Sequence, residues 1–232
     1  MATNEKLITP RVLLMTFFFI VFLPMLPLLI SWQWNWWEAW AYALINILGF
    51  AVSRMLAGHK HPDLIKERSR YLQHPNPEAW DKSLSPLLGL WGALIPITAG
   101  LEARFGLSPD FNVHIKILSL LIFLFGYAFS SYALMENRFF SGMVRIQTER
   151  DHHVISTGPY RWVRHPGYAG AIINYIAVPF LLDSLWTLIP AVISMIVIII
   201  RTALEDQTLQ NKLPGYREYT RQVKYRLIPG IW

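Results

Sequence analysis

Stretches free of Asp, Glu, Lys and Arg recur along the chain at residues 12–37, 39–53, 83–101, 117–135, 166–182 and 184–200. They predict six hydrophobic helices. Crossing a hydrocarbon core takes roughly 20 apolar residues, so the first, third and fourth stretches suffice, while the second has to run past Glu38 or Arg54 toward the interface. The last two are short, with only Asp183 and Ser184 between them and Pro179 and Pro190 close by, which predicts one tight helical hairpin. The expected fold is all-α, a polytopic transmembrane helical bundle of about 5–6 spans with that hairpin near its C-terminus.

Polar residues gather in three segments, at 57–82, 136–165 and 201–232. Threading the spans alternately puts these segments, with Lys6, Arg11 and Arg54, on one face and only Arg104 and Lys116 on the other. Nineteen of the 21 Lys and Arg therefore share a face, which the positive-inside rule makes cytoplasmic together with both termini. Trp32, Trp34, Trp36, Trp37 and Trp40 then read as an aromatic belt at the outer interface. The first apolar run is too long for a cleaved signal peptide, and Leu26 to Trp37 lacks a small-residue cleavage pattern. The chain divides at about residue 135: helices with the loop 57–82 precede it, and 136–232 holds the densest chemistry.

Composition agrees. Hydrophobic residues make up 53% and charged ones 16%, against about a quarter charged in a soluble domain. The net charge of +6 belongs to the loops of a membrane protein and not to a nucleic-acid face. With no cysteine, disulfides, thiolate metal sites and thiol nucleophiles are excluded.

The richest stretch runs from His152 to Gly170. Gly158-Pro159 predicts a turn, and Pro166 suits the first turn of a helix, where its missing N–H costs nothing. Arg164, His165 and Tyr168 then cluster at a helix N-terminus near the membrane surface, where free backbone N–H groups favour a carboxylate or phosphate. Taken singly, Arg161 and Arg164 are equally ordinary interface anchors. A second stretch follows the last apolar run: Arg201, Glu205 and Asp206, then Leu213-Pro214-Gly215-Tyr216, Tyr219 and Tyr225 to Trp232. Arg201 and Glu205 share a helix face and can form an ion pair worth a few tenths of a kcal/mol, or they can line a cavity open to the bilayer. His59, His61 and His74 lack flanking carboxylates at ligand spacing and read as loop histidines, so no metal site is expected; His114 reads as interfacial.

In order and spacing these two stretches resemble the isoprenylcysteine carboxyl methyltransferases and the phospholipid N-methyltransferases, a family of integral membrane methyltransferases. Its pattern is an upstream Gln, His-x-x-Val-like residues, Gly-x-Tyr, Arg-His-Pro-x-Tyr-x-Gly, a helical hairpin, Arg-x-x-x-Glu-Glu, Gly, Tyr-x-x-Tyr and a terminal Pro-rich stretch. Here these fall on Gln147, His152 to Ile155, Gly158, Tyr160, Arg164 to Tyr168, Gly170, Arg201, Glu205, Tyr216, Tyr219 and Pro229. Asp206 replaces the second Glu, a change expected to matter little. The loop from His61 to Lys82 is similar to that of bacterial members. The resemblance implies S-adenosylmethionine bound at the cytoplasmic ends of the last helices, in a bacterial inner membrane, with a lipophilic acceptor arriving from the bilayer. It assigns Gln147, His152, His153, Val154, Ile155, Tyr160, His165, Pro166, Gly167, Tyr168 and Glu205 to the cofactor, and Arg201 to the acceptor. Arg201 and Glu205 would be the catalytic pair. Methyl transfer to a carboxylate needs alignment more than a base, and Arg201 offers it a positive partner. For a phospholipid amine, His165 or Glu205 becomes a candidate base.

Two other classes compete. NADPH-dependent sterol reductases are similar at the C-terminus, but Gly167 stands where they have Asn. A non-enzymatic partner or small transporter is a further alternative, although transporters put charges at the bilayer midplane and these sit at one end of the spans.

Overall fold

The computed structural model describes Leu14, residues 17–69 and residues 76–232. Lys6, Arg11 and Arg70 of the charge asymmetry and His74 of the histidine group lie outside the described residues. A π-helical turn, Phe18–Phe22, leads into α1 (Leu23–Ser31). Next come α2 (Trp37–Lys60), α3 (Pro62–Ser69), α4 (Asp81–Arg104), α5 (Val113–Glu136), α6 (Pro166–Leu181), α7 (Leu188–Lys212) and α8 (Tyr216–Gln222), with no strand among the described residues.

Four of these, α2, α4, α5 and α7, have 24 or 25 residues and are apolar enough to cross a membrane. At 1.5 Å per residue each spans about 36 Å, more than a core of about 30 Å. The protein is an integral membrane protein with a polytopic helical fold. As the second apolar stretch required, α2 absorbs both Glu38 and Arg54. The 16 residues of α6 reach only about 24 Å. Apolarity stops at Ile200 but α7 runs on to Lys212, so Arg201, Glu205 and Asp206 stand on its last turns.

Contacts sort the loops into two ends. At one, Lys116 Nζ lies 2.9 Å from Glu38 Oε1 and 2.5 Å from Asp183 Oδ2, and Glu102 accepts hydrogen bonds from the Trp186 and Leu185 N–H groups at 3.1 and 3.3 Å. These ties fasten the expected hairpin turn, where Asp183 takes a left-handed φ of 48°. At the other end Lys60 pairs with Glu136, Arg138 with Asp63 and Lys212 with Glu78, at 2.6, 2.9 and 2.7 Å. Between them Leu28, Tyr42, Ile95, Phe123 and Leu181 form a buried apolar core. Close approach of α5 to α6 depends on two glycines. A Cβ on Gly126 would lie 2.8 Å from the Gly170 carbonyl oxygen, and one on Gly170 would lie 2.5 Å from that of Gly126, the small-residue contact typical of membrane helices.

Candidate functional site

The start of α4, the end of α5, the start of α6 and the last turns of α7 all meet at the second end. Pro166 opens α6 with His165 as its N-cap residue. The chain entering this helix is held by the C-terminal tail: Arg164 N–H donates to the Tyr225 carbonyl and His165 N–H to that of Arg226, both at 2.9 Å. The Arg164 side chain grips Asp206 with both arms, Nε to Oδ1 at 2.7 Å and Nη2 to Oδ2 at 3.0 Å, while its Nη1 donates to the Val223 and Lys224 carbonyls. Asp206 is fully buried. It also accepts from Tyr216 Oη at 3.1 Å, Arg226 Nε at 3.0 Å and Gln210 Nε2 at 2.8 Å, with His165 Nε2 at 3.3 Å. A buried carboxylate is tolerable only when compensated in this way, and Asp206 thereby ties the tail, α7 and the start of α6 together.

Beside this network opens a cavity of about 220 Å³. His152, His153, Val154, Ile155, Tyr160, His165, Gly167, Tyr168, Arg201 and Glu205 line it; Gln147 and Pro166 do not. Gln147 is fully buried behind the wall. Its Nε2 donates to the Phe139 carbonyl at 2.8 Å, its Oε1 accepts from Arg150, and its backbone N–H donates to His152 Nδ1 at 3.2 Å. The His152 ring in turn packs on Phe139, with centroids 4.4 Å apart. Burial and the positive charges of His153, Arg150 and Arg145 push its imidazole down to about 4, so at neutral pH it is uncharged. Burial raises the Tyr160 hydroxyl above its ordinary value, which keeps it neutral, and its Oη accepts from Asn137 Nδ2 at 3.1 Å.

Arg201 and Glu205 share the cavity but hydrogen-bond elsewhere. Glu205 Oε2 accepts from Tyr168 Oη at 2.6 Å and forms no ion pair among the described residues. Arg201 makes a two-armed pair with the fully buried Asp81, Nε to Oδ1 at 2.7 Å and Nη2 to Oδ2 at 2.9 Å, and Nη2 also reaches the Gly142 carbonyl. The local ion pair permitted by the spacing gives way to a partner 120 positions away in sequence. A third wall, residues 139–145, was not singled out from the sequence. It is fastened to the first half of the chain: Asp81 Oδ2 accepts from Val144 N–H at 2.7 Å, Glu78 N–H donates to the Val144 carbonyl at 2.9 Å, and Arg145 pairs with Glu67 at 2.6 Å. In sequence Asp81 is one loop charge beside Lys82; the only cue was the similarity of that loop to bacterial relatives.

The cations of Arg145, Arg164 and Arg201 each face a carboxylate, leaving Glu205 as an anionic lining group without an ionic partner among the described residues. Aromatic walls and a carboxylate outside any ion pair among the described residues suit a cationic ligand carrying a flat ring. Residues 118–211 match the sequence profile of the Isoprenylcysteine carboxyl methyltransferase (ICMT) family. The ICMT match runs from α5 through the hairpin into the last turns of α7, and so takes in every expected site residue from Gln147 to Glu205. The matched segment covers less than half of the chain, and the similarity is to a family of membrane methyltransferases whose members depend on S-adenosylmethionine. No curated protein matches the sequence.

Proposed function

We propose that the protein transfers a methyl group from S-adenosylmethionine to a lipophilic acceptor, a carboxylate of the isoprenylcysteine kind, at the cytoplasmic face of the membrane. The observation that carries this reading is the convergence of the 152–155 turn, the start of α6 and the end of α7 on one cavity, with Glu205 facing it and making no ion pair among the described residues. S-adenosylmethionine, when bound, supplies a methyl group on an electrophilic sulfonium. Glu205 offers a carboxylate to the polar hydrogens and positive charge of the cofactor, while His152, His153, Val154, Ile155 and Tyr160 furnish its flat and apolar walls. His165 and Tyr168 stack with ring centroids 5.9 Å apart, and with Gly167 they form the floor at the start of α6. Gln147 and Pro166 act one layer out, fixing the backbone of those walls. Arg201 supplies the cation for the acceptor. No proton has to be removed from a carboxylate nucleophile, so alignment and exclusion of water supply the rate, on the order of 7–11 kcal/mol from proximity alone.

The second reading, an amine acceptor such as a phospholipid headgroup, requires a group to take a proton, and Glu205, which makes no ion pair among the described residues, is placed to do so. Incubating the purified protein and a lipid extract with methyl-labelled S-adenosylmethionine, followed by mild base, separates the two. Label released by base marks an ester, and label that survives marks an N-methyl product. Absence of any label in lipid, with the cofactor bound, would refute methyl transfer.

A further inference from the structure

The acceptor anchor assigned to Arg201 is not a free guanidinium. Its Nε and Nη2 edge is taken by Asp81, and Nη2 is taken again by the Gly142 carbonyl. Only Nη1 is left without a hydrogen bond among the described residues. Asp81 is itself fixed by the Val144 N–H, so guanidinium, aspartate and the 139–145 wall form one rigid unit. The next residue along that wall toward the N-terminus, Ser141, also lines the cavity, and its buried Oγ has no hydrogen-bond partner.

We propose that Asp81 is a positioning residue that makes Arg201 a one-ended anchor: Nη1, in the cavity that Ser141 also lines, holds one oxygen of the acceptor carboxylate and leaves the other free to attack. The inference rests on the carboxylate reading above. A guanidinium free to use its fork would bind both oxygens of the acceptor and stabilise the nucleophile in the ground state, which raises affinity without raising turnover. With the fork occupied, one oxygen keeps its lone pairs. As it bonds to the methyl carbon, the carbon–sulfur bond breaks and its electron pair passes to sulfur. The negative charge of the carboxylate and the positive charge of the sulfonium cancel, and no proton moves.

The probe is N-acetyl-S-farnesylcysteine, with its methyl ester as control, titrated calorimetrically into the detergent-solubilised full chain; S-adenosylmethionine is titrated separately. Wild type should bind the acid at least about tenfold more tightly than the ester. Asp81→Asn, which releases the fork, should bind the acid more tightly still, yet lower kcat at least about tenfold with cofactor Kd unchanged. A merely structural Asp81 predicts that affinity and kcat fall together, and that result, or an Asp81→Asn enzyme equal to wild type, would overturn the inference. If Asp81→Asn does not fold, Arg201→Lys decides. A lysine can still pair with Asp81 but has no second edge, so preference for the acid should vanish while cofactor affinity stays; a retained preference overturns the proposal. Wild type that binds S-adenosylmethionine but ignores the acid removes the Asp81 inference alone, whereas wild type that does not bind the cofactor removes the proposed function.

Discussion

Asp206 is approached by five side chains, those of Arg164, His165, Gln210, Tyr216 and Arg226, and it has no exposed surface. Asp206→Ala leaves two buried or half-buried arginines without their anion and should destabilise the protein by about 3–5 kcal/mol, read as a fall in Tm. A loss under about 1 kcal/mol, typical of a surface ion pair, would show that the network is not what holds the tail. Glu205 was legible from the sequence because it sits four residues from Arg201 within a family pattern. Asp81 was not, because its partners, Arg201 and Val144, are joined to it only by the fold. Acid should also loosen the site. The His152 imidazole has an ordinary value of 6.5 and a folded value of about 4, so between the two the unfolded chain binds more protons. Its contribution to stability is whole above pH 6.5 and is lost as pH falls toward 4. Tm should therefore drop between pH 7 and 4.5, and drop less in His152→Phe; an equal drop in both would put the acid sensitivity elsewhere.

Among the elements, α2, α4 and α5 follow almost directly from the gaps between charges. Two others do not. The described part of the first apolar run leaves the helix at Ser31, where Trp32 adopts a left-handed φ of 62°. The tryptophans beyond it divide: Trp32, Trp34 and Trp37 are exposed in the manner of a belt, whereas Trp36 is buried in the core. Hydropathy cannot distinguish an indole facing lipid from one facing protein. α7 outruns its apolar stretch because polar side chains there face a cavity and buried partners, and the helix does not need apolar residues to continue. The short α6 is positioned by backbone proximity to α5 at Gly126 and Gly170. Gly170→Val should force those helices apart, costing at least about 1–3 kcal/mol and weakening cofactor binding, because His165 and Tyr168 lie one turn away on the same helix. Unchanged Tm and Kd would mean that the contact is slack.

Over the whole molecule, basic loops and cavity share one end of the bundle, and the Glu38, Glu102, Lys116 and Asp183 cluster closes the other. If the positive-inside rule orients this protein, tags at both termini are protected in right-side-out vesicles and a tag at Ser108 is accessible; the reverse pattern would put the cavity outside. The region 136–232 carries most of the expected site, yet Asp81, Glu67 and Glu78 fasten its wall, so we expect the two parts to function only together. The central claim, that this cavity holds S-adenosylmethionine with Glu205 as its charged contact, is tested most directly by calorimetric titration of the cofactor into the purified protein. Wild type should show one saturable site, Arg201→Ala nearly the same affinity, and Glu205→Gln a Kd raised at least about tenfold with Tm unaltered. No binding by wild type, or equal affinity in wild type and Glu205→Gln, would contradict it.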